Sequence, residues 1–448
     1  MSKRILLCLL AYLFLINESF SQEPLSLADA IRIGLERNYD IQIEHKNVEI
    51  AANNNNWGEA GRYPTLSANL NQNNTFTNID NPASFLAGDI QNNAINPTAN
   101  LNWVLFDGFR ARISKSRLEN LQAQSSGNSA IVISNTIQAI ILGYYLVILE
   151  EERFDAFEKQ LRLSRDRYNY QKIRFDLGGL VTSDLLQEEL NYLTDSINLI
   201  NQELLVENSR SNLNTLLSED PEKEFIFTDK MQPDLDDYTY DDLRTKMFSG
   251  NVDLKTQYLS QAVLRDDFLI ARSERYPDLN FNAFYDYNSN RQDLGGASLA
   301  GGAPIEEPVT TAITRTIGAN FTVSFTLFNG GRINRAIQNA SINENIGNLR
   351  TENLKNSLSR DLAQALDRYR TRKLVFGISE RQKEVAIQNL DVSNEKFKTG
   401  SINSFDYRTV QNANLTAEVQ RLQSVYNLID SKVELLRLTG GLIKQFEN

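Results

Sequence analysis

Four short stretches alternate apolar and polar residues with a period of two. Leu66, Ala68 and Leu70 interleave with Ser67, Asn69 and Asn71, and Ala99, Leu101, Trp103 and Leu105 interleave with Asn100 and Asn102. Later, Leu279, Phe281, Ala283 and Tyr285 alternate with Asn280 and Asn282, and Phe321, Val323, Phe325 and Leu327 with Thr322, Ser324 and Thr326. One apolar face at this period predicts strands, here of about ten residues each. Elsewhere the period is helical. Leu186, Leu190, Leu193, Ile197, Ile200 and Leu204 step by four and three, as do Leu415, Val419, Leu422, Tyr426, Ile429, Val433 and Leu436. Such sustained alternation predicts a seam against neighbouring helices. A first helix is predicted over 26–62, ending at Pro64 because the residue before proline is pushed to extended geometry. No proline falls between 98 and 220 or between 309 and 448. The run 109–174 is therefore predicted as one helix of 66 residues, about 100 Å long at about 1.5 Å per residue.

The two halves of the chain repeat each other. Leu105-Phe106-Asp107-Gly108 recurs as Leu327-Phe328-Asn329-Gly330, and Phe175, Gly178 and Asp184 recur as Phe397, Gly400 and Asp406, all at an offset of 222. Arg62-Tyr63-Pro64 recurs as Arg275-Tyr276-Pro277, and Asn38/Asp40 as Asn251/Asp253, at an offset of 213. The nine extra residues fall between the proline and glycine landmarks of the second half, the place for an exposed loop. Each half reads helix, strand, loop, strand, long helix, turn, helix. Pro64 and Pro277 mark the helix-to-strand junctions, and Gly108 and Gly330 the strand-to-helix junctions. Loops are expected at 78–97 and 288–316. The expected organisation is a leader over 1–21, a first repeat over 22–217, an acidic proline-containing linker over 218–240, and a second repeat over 241–448.

The leader follows from Lys3 and Arg4, the apolar run Ile5 to Ile16, and small residues at Ser19 and Ser21, the order of a secretory signal peptide. The only cysteine, Cys8, lies within it, and His45 is the only histidine. That excludes disulfides and histidine- or cysteine-based metal centres from the mature chain; no metal, cofactor or catalytic cluster is expected. Formal charge is −11, about −12 after loss of the leader, which argues against nucleic-acid binding. No mature stretch reaches 18 consecutive apolar residues, so any membrane crossing must use strands.

The strands have two readings, a small soluble sheet packed on helices or part of a membrane wall. Four strands cannot close a barrel, and an open edge in lipid leaves backbone groups without partners. Two copies would supply eight strands, a number whose interior is filled by side chains, whereas three copies supply twelve and leave a pore. The signal peptide, the duplicated unit, the LFDG and LFNG junctions and the FxxG…D turns together resemble the TolC-type outer-membrane factor family over about residues 25–442. That resemblance implies an α+β membrane protein, a homotrimer with a twelve-stranded β-barrel in the outer-membrane lipid of a Gram-negative bacterium. The barrel would continue into a long α-helical barrel projecting into the periplasm. It implies a non-enzymatic channel in a tripartite efflux or type I secretion system. The channel would passively conduct small molecules or proteins, fed by a periplasmic adaptor and an inner-membrane transporter of RND, ABC or MFS type. The alternatives are a soluble periplasmic coiled-coil scaffold and an adaptor protein; an adaptor would carry one hairpin beside lipoyl-like modules rather than two hairpins with strand pairs.

The resemblance also points to site residues. Gly178, Leu180, Gly400 and Ile402 match the hairpin tips that dock an adaptor, although glycine there also supplies ordinary helix-ending geometry. Asp406 matches a carboxylate ring that constricts the tunnel, and Asp184 is its repeat-mate; each also lies in a first helical turn, where an acid complements the helix dipole. The sequence departs from the family pattern at Thr409, where a second acidic ring is expected.

Overall fold

The computed structural model describes residues 23–446 apart from Leu180, Ala300, Gly301 and Pro304. The expected signal peptide lies outside the described residues. In chain order the elements are β1 (Glu23–Leu25), α1 (Leu27–Arg37), α2 (Tyr39–Asn54), β2 (Thr65–Ile79), β3 (Leu86–Asp107), α3 (Arg110–Asp176) and α4 (Thr182–Leu217). Then follow β4 (Phe225–Phe227), α5 (Tyr240–Gly250), α6 (Val252–Ser273), β5 (Asp278–Leu299), β6 (Val309–Ser324), α7 (Arg332–Lys398), α8 (Ser404–Leu438) and α9 (Gly441–Phe446). Contacts divide the chain into a unit of Asn47–Ser125 and Gln257–Thr351, and a helical unit of the remainder.

The strand-bearing unit holds one antiparallel sheet of order β2-β3-β5-β6. Directly paired residues share a face, so register sorts the side chains. Leu66 pairs with Leu101, Leu101 with Ala283 and Ala283 with Ala319, while Ser67 pairs with Asn100, Asn102 with Asn282 and Asn282 with Asn320. One face is apolar and the other is asparagine, serine and threonine. The strands run 15, 22, 22 and 16 residues, longer than the expected ten. Strand pairing extends far into the expected loops 78–97 and 288–316. In stretches such as Asn69–Asn74 and Asp89–Asn93 polar residues predominate, so apolar alternation is lost although the backbone ladder continues. Beside the sheet, hydrogen bonds and ion pairs set the helix order α2-α3-α6-α7: Asn55 to Gln122, Arg117 to Asp267, and Gln257 to Thr351.

Each long helix, α3 and α7, has 67 residues and turns back through a glycine into α4 or α8. The expected single helix over 26–62 is instead two, broken at Asn38, and the second ends at Asn54, ten residues before Pro64. The break recurs at Asn251. Both asparagines are extended, with ψ of 126° and 124°. Each side chain does two jobs. Asn251 Oδ1 accepts from the Leu254 amide at 2.9 Å, and its Nδ2 donates to the Leu438 carbonyl at the end of α8 at 3.1 Å. Asn38 caps Ile41 and donates to Leu216 O in the same way. The repeated Asn is thus a helix restart fastened to the end of the neighbouring helix. Asn251 is 1% exposed, so Asn251→Leu should orphan a buried amide and a buried carbonyl, each costing about 1–3 kcal/mol. An unchanged thermal midpoint for that variant would refute the fastening.

The segment after α4 is ordered. β4 pairs parallel with β1, and Tyr144 Oη lies 2.8 Å from both the Leu25 carbonyl and the Asp229 carboxylate. Burial and the nearby Asp229 carboxylate push the Tyr144 phenol well above its ordinary range.

Helix order in the helical unit is α4-α3-α8-α7. Gln202 and Arg210 tie α4 to α3 through Glu150 and Glu151; Arg153 ties α3 to Gln423 of α8; Ser379 and Arg372 tie α7 to Ser424 and Asp430 of α8. This order leaves one face of α4 uncovered within the single chain. Its leucine-isoleucine seam faces outward, with Leu186 58%, Ile197 60% and Ile200 64% exposed. A polar stripe is buried instead, Glu188, Asp195, Gln202 and Ser209, seven residues apart and at most 5% exposed, joined toward the end of the helix by Val206, Leu213 and Leu217. The matching seam of α8 is buried or half-buried, because α8 lies between two helices and α4 has only one.

Candidate functional site

The two turns at the far ends of the long helices end alike. Gly178 (φ 76°) and Gly400 (φ 72°) take left-handed conformations that an L side chain resists. Gly179 N–H donates to Arg174 O at 2.9 Å and Ser401 N–H to Lys396 O at 2.8 Å, closing a Schellman motif at each tip. Gly178, Asp184, Gly400 and Ile402 line one cleft of about 1210 Å³. Leu180 lies outside the described residues. Asp406 does not line the cleft. It sits exposed in the first turn of α8, its backbone amide capped by Asn403 Oδ1 at 2.8 Å. Asp184 occupies the first turn of α4, with Ser183 Oγ 3.3 Å from its carboxylate. Thr409, uncharged, donates its hydroxyl to Phe405 O at 3.1 Å.

Beneath these tips lies a charged network that the sequence reading missed. Arg167 of α3 donates to Glu188 Oε1 at 2.6 Å and Gln411 Oε1 at 2.9 Å, and its guanidinium stands 5.1 Å from the rings of both Phe397 and Tyr407. Those two rings are stacked at 4.8 Å. One arginine of α3 therefore touches residues of the three other helices. Burial pulls its pKa down, while the Glu188 carboxylate acts against that shift. A second arginine, Arg408, makes a two-pronged contact with Asp195 at 2.6 and 2.7 Å, linking α8 to α4. Glu188, Asp195 and Gln411 are 1%, 3% and 2% exposed. The available signal was the heptad spacing of Glu188, Asp195, Gln202 and Ser209, which places polar groups on one stripe.

The junction residues fall where the chain changes element. Pro64 and Pro277 stand immediately before β2 and β5. Gly108 and Gly330 follow β3 and precede α7, with φ of 68° and 66°. At Gly108 an added Cβ would lie 2.5 Å from Ser273 O, so the close approach as well as the φ requires glycine. Among the described residues no group of three or more metal-ligating side chains occurs.

Residues 244–441 match the family described as outer membrane efflux protein. No curated protein matches the sequence. Among solved structures, the CmeC outer membrane channel of Campylobacter jejuni is similar over 95% of this chain and 87% of its own, with a TM-score of 0.75 at 17% identity. VceC, an outer membrane protein of Vibrio cholerae, is similar over 93% and 96%, with a TM-score of 0.70 at 14% identity. The open state of the MtrE outer membrane channel of Neisseria gonorrhoeae is similar over 93% and 89%, with a TM-score of 0.67 at 17% identity.

Proposed function

We propose that three copies of this chain close a channel through the outer membrane of a Gram-negative bacterium, a reading supported by the match of residues 244–441 to the outer membrane efflux protein family and by the fold shared with outer-membrane channels. The chain is the channel subunit of an efflux system and conducts passively; nothing in the fold favours a soluble adaptor. The observation that carries the trimer is that every layer ends in an unsatisfied edge, with a first-repeat element on one side and a second-repeat element on the other. The sheet ends in β2 and β6, whose backbone groups need partners in lipid. Because neighbouring strands alternate in direction, β6 of one copy meets β2 of the next antiparallel. The apolar face then meets lipid, and the asparagine-threonine face lines the pore.

The helical layers have the same property. In the helical unit α4 exposes Leu186, Leu190, Leu193, Ile197, Ile200 and Leu204, while α7 exposes Leu374, Ile378, Val385 and Val392. Matched apolar stripes support a heterologous contact, which closes into a ring when the rotation allows.

The glycine tips Gly178 and Gly400, with Leu180 and Ile402, dock a periplasmic adaptor, which couples the channel to an inner-membrane transporter. Asp406 constricts the tunnel: three copies brought near one axis repel one another and attract cations. Asp184 takes part in the same closure. Purified trimers in planar bilayers test these statements together. Wild-type protein is expected to conduct and to be blocked by multivalent cations. Asp406→Ala is expected to raise conductance and weaken the block. An unchanged conductance and block would remove Asp406 from the gate, and a water-soluble, stable monomer would remove the channel itself.

A further inference from the structure

The junctions between helices and strands carry a charge opposite to that of the chain. Residues 57–64, 106–117, 270–278 and 325–335 hold nine arginines and lysines against four acids, in a chain of formal charge −11. Contacts set these four segments side by side in strand order. Trp103 Nε1 donates to Arg62 O at 2.9 Å, Arg110 Nε to Ser273 Oγ at 3.3 Å, and Arg275 to Asn334 Oδ1 at 3.0 Å. Arg62, Arg112, Arg272, Arg275, Arg332 and Arg335 are exposed, and among the described residues none has an acidic partner. Arg62 lies over the Trp57 ring at 5.3 Å and Arg272 over Phe268 at 5.6 Å. Large aromatic residues are exposed among them: Tyr63 61%, Phe109 58%, Tyr276 51% and Phe328 86%.

Unpaired guanidinium groups repel one another, and exposed aromatic rings are unfavourable in water. A surface carrying both is satisfied where acyl chains meet headgroup phosphates, since the arginine fork matches phosphate oxygens and aromatic rings settle at headgroup depth. We propose that this band binds anionic phospholipid headgroups of the leaflet on the helix side of the strands. The proposal rests on the reading that the strands cross a membrane. The duplication gives each chain the pattern twice, as Arg62-Tyr63-Pro64 with Arg110 and Arg275-Tyr276-Pro277 with Arg332.

The test is native mass spectrometry of the purified full-length protein after incubation with equal amounts of phosphatidylglycerol and phosphatidylcholine of matched chains. Wild type is expected to retain phosphatidylglycerol several-fold over phosphatidylcholine, with a smaller ratio at high salt. The triple variant Arg275→Gln, Arg332→Gln, Arg335→Gln should bring the ratio near unity, and the charge-matched variant Arg162→Gln, Arg165→Gln, Lys172→Gln should leave it unchanged. Equal retention by wild type, or a preference that survives the junction variant, overturns the proposal. If the junction variant does not assemble, the wild-type salt series decides, and a salt-independent ratio overturns it. Vesicle flotation separates the two readings. Protein that does not float with vesicles defeats the membrane-spanning reading, whereas protein that floats without lipid preference defeats only this one.

Discussion

Leu193→Asp with Ile197→Asp should yield a helical but monomeric protein. Both residues lie on the outward stripe of α4, 50% and 60% exposed in the single chain, so neither supports the fold of its own copy. In the proposed ring α7 of the neighbour would cover them. Full burial of a leucine or isoleucine contributes roughly 1.5–3 kcal/mol, and a carboxylate buried there without a partner adds an opposing cost of several kcal/mol. The contact occurs three times per ring, so the two changes act three times over. Sedimentation of the detergent-solubilised variant checks the mass, and circular dichroism checks that helix content is retained. The reciprocal change, Leu374→Asp with Ile378→Asp on α7, should give the same result. A stable trimer from either variant would refute the pairing of these edges.

The other large effect is expected at Arg408. Its guanidinium is the only cation bonded to Asp195 among the described residues, and Asp195 is 3% exposed. Truncation by Arg408→Ala leaves a buried carboxylate whose remaining contact is Gln160 Nε2 at 3.4 Å. Breaking one side of a buried ion pair costs about 3–5 kcal/mol, whereas replacing both sides by apolar groups of similar volume is often close to neutral. Arg408→Ala should therefore release the α4 and α8 hairpin ends to rapid amide exchange, while Arg408→Leu with Asp195→Leu should restore much of the protection. Arg408→Lys should fall between, since an ammonium keeps the charge but lacks the fork that engages both oxygens. Equal protection in wild type and Arg408→Ala would show that the pair does not hold the hairpins together.

Much of the fold is written in local pattern. The glycine landmarks bracket helices of 67 residues because proline is absent where the backbone must stay helical, and glycine supplies the left-handed conformation where it must turn. Period-two alternation locates the parts of the strands nearest the helices, where one face is apolar. It fails in Asn-rich stretches, because a strand polar on both faces leaves no contrast to read. The break at Asn38 was also hidden. Its repetition as Asn251 was visible, but the partners that give it meaning, Leu216 O and Leu438 O, lie 178 and 187 residues away.

By itself the sequence determined the duplication, the element order, the hairpin turns and the heptad spacing, since each arises from neighbours within a few residues along the chain. Which side of a helix faces inward is a different kind of fact. Two stripes run along α4, one of leucine and isoleucine and one of Glu188, Asp195, Gln202 and Ser209, and burial of the greasier one is the ordinary expectation. Within one chain tertiary structure reversed that choice, because Arg167 and Arg408 reach the polar stripe from other helices and leave the apolar stripe uncovered there. Long-range pairing of charge decided the matter, and no local pattern encodes where a distant arginine will stand.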